Sequence, residues 1–126
     1  MGKVSKAANS MYDLIERKWK EADLEKPTGL QASEAARLLW TLEFGDWPFE
    51  SIKLTTGRRY TWSKRGNGRI LVVNPDGHFF GPWQDLVHDL SHLAHERKNP
   101  KKRPHCIEQA RIERRMQDNL FRRILS

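Results

Sequence analysis

The stretch Pro82 to Glu96, PWQDLVHDLSHLAHE, decides how the rest of the chain is read. Read as a helix that begins near Pro82 and runs to about Lys98, where Asn99-Pro100 ends it, it sets His88 and His92 one turn apart on a single face. Two imidazoles so placed can grip one divalent metal ion, which is the geometry of the H-E-x-x-H zinc helix. The residue after the first histidine is Asp89, where the hydrolytic form of that motif carries glutamate. The metal half of the signature is intact and the catalytic half is altered, so binding and catalysis are separate questions.

Zinc usually takes four ligands, and a catalytic site leaves one position to water. His88 and His92 fill two positions, and several residues compete for a third. His95 lies on the same face but a further turn along, so reaching the same ion strains the helix. His105 follows a loop long enough to fold back and is the first choice, with Glu108 and then Glu113 behind it as carboxylate candidates. The plainer alternative is that these histidines only hydrogen-bond to backbone or carboxylate partners, as buried histidines commonly do.

Upstream of this helix the pattern alternates and favours β-branched residues. Ile52 to Thr55, Arg59 to Lys64 and Arg69 to Val73 are strand candidates, with Tyr60 and Trp62 on one face of the second. Gly66-Asn67-Gly68 signals a tight turn between the last two, and Asn74-Pro75-Asp76-Gly77 closes the sheet with another. The expectation is a small three-stranded antiparallel sheet packed on the metal helix. Further back, Met11, Leu14, Ile15, Trp19 and Ala22 recur at helical spacing between Lys3 and about Leu24, and Lys26-Pro27-Thr28-Gly29 breaks the pattern. A second helix, from about Ser33 to Phe44, buries Ala36, Leu39, Trp40 and Leu42 and ends at Gly45. Beyond the metal helix, Ile107, Ala110, Met116, Leu120, Phe121 and Ile124 mark one face of a last helix from about His105 to Leu125. The fold class is therefore α+β in a single domain over residues 1–126, with an N-terminal helical part (1–45) and a metal-binding part (46–126).

Composition agrees. A chain of 126 residues can bury one modest core. With 37% hydrophobic residues, 31% charged residues and five tryptophans, it is too aromatic for a disordered chain and too polar for a membrane protein. The N-terminus has no apolar core of the signal-peptide kind, which points to the cytoplasm. The single cysteine, Cys106, fits a reducing compartment and leaves any metal to histidine and carboxylate. The net charge of +7 is concentrated in clusters: Arg58, Arg59, Lys64 and Arg65; then Arg97, Lys98, Lys101, Lys102 and Arg103; then Arg111, Arg114, Arg115, Arg122 and Arg123. Such a surface attracts polyanions, and Arg58, Arg59, Lys64, Arg65, Lys101, Lys102 and Arg103 are the candidate nucleic-acid contacts. Tyr60 and Trp62 among the first cluster can stack on unpaired bases, although half-buried sheet aromatics are the commoner case. His78 reads as a turn surface residue. Ser91 lacks an evident base for nucleophilic work, and Cys106 and His105, adjacent on a helix, point in different directions.

The order of strand, turn, H-x-x-x-H helix and later Pro-His resembles the SprT-like zinc metallopeptidases, a minimal branch of the zincins. The residues that carry the resemblance are Gly68 to Pro75 (GRILVVNP), His88-Asp89-Leu90-Ser91-His92 and Arg103-Pro104-His105. It spans roughly Ile52 to Met116, about half of the chain, and leaves Met1 to Glu50 unexplained. It implies a zinc cofactor, His105 as the more distant ligand, hydrolysis of peptide bonds by metal-activated water, a strand beside the helix that binds substrate backbone, and proteins lying on nucleic acid as substrates. In that family the glutamate takes a proton from the water and delivers it to the leaving amine. Asp89 stands in its place one methylene shorter, and a displacement of about 1 Å in a positioned group can cost about a hundredfold in rate. Two functions of different class follow: a zinc metallopeptidase acting on a protein or peptide with Asp89 as its base, or a catalytically inactive zinc-stabilised module that binds nucleic acid or an acidic protein.

Overall fold

The chain runs through α1 (Lys6–Ala22), α2 (Gly29–Phe44), β1 (Ser51–Leu54), β2 (Trp62–Ser63), β3 (Ile70–Val73), α3 (Pro82–Lys98) and α4 (Ile107–Leu125). These elements belong to a computed structural model that describes residues 5–55, 62–63, 70–77 and 80–125.

Local chemistry sets the helix ends. Ser5 caps α1 by accepting from the Ala8 N–H at 3.1 Å, and Asp23, left-handed at φ 46°, closes it by donating its N–H to the Trp19 carbonyl. The α2 helix starts about one turn earlier than its apolar spacing predicts. Thr28 and Gln31 form a reciprocal capping box, with bonds of 2.9 and 3.1 Å, so Gly29 becomes the first helical residue instead of part of the break. Gly45, at φ 76°, ends α2 as its position suggested.

The sheet corrects an expectation. It is mixed, not antiparallel throughout: β3 lies in the centre, antiparallel to β2 and parallel to β1, with Ser51 opposite Ile70 and Leu54 opposite Val73. The central place goes to Ile70-Leu71-Val72-Val73, the most apolar of the three strands, whose Leu71 and Val73 are buried while β1 is largely exposed. Because β2 reverses the chain between them, β1 pairs with the remaining edge of β3 in the parallel sense.

The route from β3 into α3 is tightly specified. Asn74 accepts from the Asp76 N–H at 2.9 Å and donates from its amide to the Gly77 carbonyl at 3.0 Å. Gly77 sits at φ 76°, and a Cβ there would lie 2.8 Å from the Gly81 and Pro82 backbone, so a side chain is excluded on two counts. Pro82 then occupies the first turn of α3, as expected, and Asn99 follows its last residue. The Trp83 indole donates to the Glu25 carbonyl at 2.7 Å, fixing the start of α3 to the segment after α1.

The α3 helix packs along α4, α1 packs on α4, and α2 touches both. One buried cluster draws on every helix and on β3, including Ile15, Trp19, Leu39, Trp40, Leu71, Val73, Leu86, Leu90, Met116 and Leu120. Full burial of a side chain of this size contributes about 1.5–3 kcal/mol relative to exposure. Glu43 of α2 adds a polar tie, accepting from Lys98 at 2.5 Å and from Arg115 at 2.9 and 3.1 Å, and Asp46 receives Arg97 through two bonds of 2.8 and 2.9 Å. Among the described residues no helix is long and apolar enough to cross a membrane.

Candidate metal centre

His88 and His92 come from adjacent turns of α3, and His105 arrives from the loop that leads into α4. The His88 Nε2 lies 3.1 Å from His92 Nε2 and 3.3 Å from His105 Nε2. The rings of His88 and His105 are within 6° of parallel, and His92 stands at 85° to both. For an ion with metal–nitrogen bonds of about 2.0–2.1 Å, tetrahedral placement separates two ligand nitrogens by about 3.3–3.4 Å. The two separations from His88 are close to that spacing, and the three side chains together form a group that can hold a metal ion.

The supporting shell explains why the lone pairs converge. Glu113, only 2% exposed, places Oε1 2.6 Å from His88 Nδ1. The ring therefore donates from Nδ1 and turns its Nε2 lone pair toward the other two histidines. Burial alone lowers the His88 pKa, but the Glu113 contact outweighs it, with smaller help from Asp89 and Asp85, and the net shift is upward. Ser91 donates to the His88 carbonyl at 2.6 Å and lies 3.4 Å from Glu113 Oε1. Its hydroxyl is part of the scaffold, consistent with its unsuitability as a nucleophile.

Gln109 links this shell to the third histidine. Fully buried, it accepts from the His105 N–H at 2.6 Å and donates to Ser91 Oγ at 3.1 Å. His105 has φ 59°, a left-handed conformation uncommon among non-glycine residues though more accessible to histidine than to most, and the Gln109 bond holds the backbone there.

The competing ligand candidates have other work. His95 is buried and donates from Nε2 to the Arg103 carbonyl at 3.1 Å, while the Asn99 amide approaches its Nδ1 at 3.4 Å. It fastens the basic loop to α3. Glu108 pairs with Lys102 at 2.5 Å, and its carboxyl is pulled down to about 2, first by that bond and then by the backbone and Cys106. Glu113, considered as a ligand, instead orients one. The Cys106 thiol approaches His95 Nε2 at 3.5 Å, in line with the reading that it does not pair with His105.

Asp89 is half-buried on α3. Helical geometry puts its direction about 100° around the axis from His88 and about 60° from His92, on the flank of the metal pair. Of the candidate nucleic-acid contacts, Arg58, Arg59, Lys64 and Arg65 lie outside the described residues, as do Tyr60 and His78. Lys102 is engaged by Glu108, while Lys101 and Arg103 are exposed in the loop that delivers His105.

Sequence reasoning missed Gln109 and Tyr12. Gln109 carries a signal only through its spacing, four residues after His105. Tyr12 of α1 has its ring centre 6.2 Å from those of His88 and His105, a proximity that nothing in the local sequence reports.

Comparison with protein-family models, with curated proteins and with solved structures finds no match to this chain.

Proposed function

We propose that the chain is a zinc-dependent hydrolase of peptide bonds, in which His88, His92 and His105 hold the ion and Asp89 is the general base. The observation that supports this reading most is the meeting of three imidazoles among the described residues, with His88 Nε2 3.1 and 3.3 Å from the Nε2 atoms of the other two. An all-nitrogen donor set of this shape suits zinc. When bound, zinc supplies Lewis acidity at the remaining position, polarising a carbonyl oxygen and lowering the pKa of a water toward neutrality. Asp89 takes the proton from the attacking water and hands it to the leaving amine. Glu113 balances the positive charge through His88, and Gln109 keeps His105 in register.

The SprT-like order of motifs supports a protein substrate. Exposed Lys101 and Arg103, a few residues before His105, support steering toward proteins lying on nucleic acid. A second reading, a zinc-stabilised binding module, is favoured by the one-methylene shortfall of Asp89 relative to glutamate.

Casein digestion by the zinc-loaded protein separates the two. The hydrolase reading expects cleavage that a chelator stops, that His92→Ala and Asp89→Asn abolish, and that Asp89→Glu increases by up to about a hundredfold. Zinc bound at one per chain with casein left intact, and cleavage appearing only in Asp89→Glu, makes the natural protein a binder. A chain that takes up no zinc sinks both readings.

A further inference from the structure

The α1 helix, packed on α4, carries Tyr12 up to the three histidines. The Tyr12 ring meets the near-parallel rings of His88 and His105 edge-on, at 68° and 69° and at the same centre distance of 6.2 Å. Its hydroxyl is shielded from solvent and has no hydrogen-bond partner among the described residues. Such a group is unfavourable, and folded proteins keep few of them. Three other buried polar atoms share that condition, on Trp19, Trp40 and Gln117. Trp19 packs on Phe121, and Trp40 on Phe44 and Phe49, so both belong to the apolar core. Only the Tyr12 side chain among the four is flanked by two of the three histidines.

We propose that Tyr12 is a further member of the metal centre, whose hydroxyl donates a hydrogen bond to the oxygen atom taking the fourth position, whether of water or of an oxyanionic ligand such as a hydroxamate. This rests on the metal-centre reading of the three histidines. A phenol, with an ordinary pKa of about 10, is a protonated donor at neutral pH. A neutral donor already fixed beside an oxygen that gathers negative charge stabilises that charge without having to reorganise. The supply of this donor from α1 also gives the N-terminal helix a part in the site that its amphipathic pattern alone does not suggest.

The test compares the natural chain with Tyr12→Phe, each loaded with cobalt(II), whose visible absorption reports the ligands around the ion. Both proteins should bind one cobalt with affinities equal to within about twofold, while acetohydroxamate binds Tyr12→Phe roughly tenfold more weakly. Equal acetohydroxamate affinity overturns the proposal. Loss of cobalt binding in Tyr12→Phe alone also overturns it, since the hydroxyl would then be a ligand. Failure of the natural chain to bind cobalt overturns the histidine reading itself and is seen before any hydroxamate is added. Melting of the metal-free proteins guards against a folding defect: Tyr12→Phe should melt no lower than the natural chain, and a lower midpoint would show a structural partner for the hydroxyl and sink the idea.

Discussion

Glu113 and His88 meet across the α3–α4 interface, with the carboxylate Oε1 2.6 Å from the imidazole Nδ1 and the carboxylate nearly sealed from solvent. A buried carboxylate is costly unless it is paired. Here the imidazole stands between that negative charge and the point where three Nε2 atoms gather, so a cation bound there completes a line of alternating charge.

Removing the carboxylate should therefore weaken metal binding without removing a ligand. Glu113→Ala is expected to lower affinity about 10- to 100-fold, and Glu113→Gln by less, because an amide oxygen can still accept from Nδ1. Competition with a chromophoric chelator measures both. Unchanged affinity in Glu113→Ala would mean that the ring is oriented by something else.

Gln109 joins the third histidine to α3, and Gln109→Leu removes the side-chain acceptor of the His105 N–H and the amide that donates to Ser91 Oγ. The substitution should destabilise the fold by about 1–3 kcal/mol and weaken metal binding, whereas Glu108→Ala, which removes only a solvent-screened pair with Lys102, should change stability little. Urea unfolding with and without metal distinguishes them. Equal behaviour of the two variants would remove Gln109 from the site.

Much of this arrangement is legible in the chain. Pro82 and Asn99 bracket α3 because both act through local backbone chemistry, and the spacing of His88 and His92 is itself a statement about a helix face. The β1–β3 pairing is not legible, because alternation reports which face of a strand is buried and not which strand becomes its neighbour. The buried row Gln109, Glu113 and Gln117 is harder still: polar residues at four-residue steps read as a solvated helix face, yet each is inside and bonded, Gln117 donating to the Ile15 carbonyl at 2.8 Å. The membership of Tyr12 depends on how α1 docks on α4, which local periodicity does not encode.

The ion should also act as a clasp, since it joins α3 to the loop that precedes α4. At a free metal concentration about 100 times the dissociation constant, binding to the folded state alone adds about 2.7 kcal/mol of stability. Thermal melting should rise on loading and fall back with chelator. In His105→Ala the metal response should largely disappear while the metal-free midpoint stays close to that of the natural chain. A full metal response in that variant would exclude His105 as a ligand.

Acid stability should depend on Glu43, which joins α2 to Lys98 of α3 and Arg115 of α4 with its side chain only 4% exposed. Burial by itself pushes the carboxyl upward, but the hydrogen bonds from Arg115 and Lys98 outweigh it and hold the pKa below the ordinary 4.5. Because the folded value is depressed, the unfolded chain takes up the proton first. The contribution is complete above the unfolded value and is lost as pH falls through the folded one. Asp46 is depressed by Arg97 with the same sign, but that pair is exposed and screened by solvent. Urea midpoints taken from about pH 7 to about pH 3 should therefore fall more steeply for the natural chain than for Glu43→Gln, which starts lower and titrates less, while Asp46→Asn changes little. Parallel acid limbs for the natural chain and Glu43→Gln would mean that the three-helix tie carries no net stability.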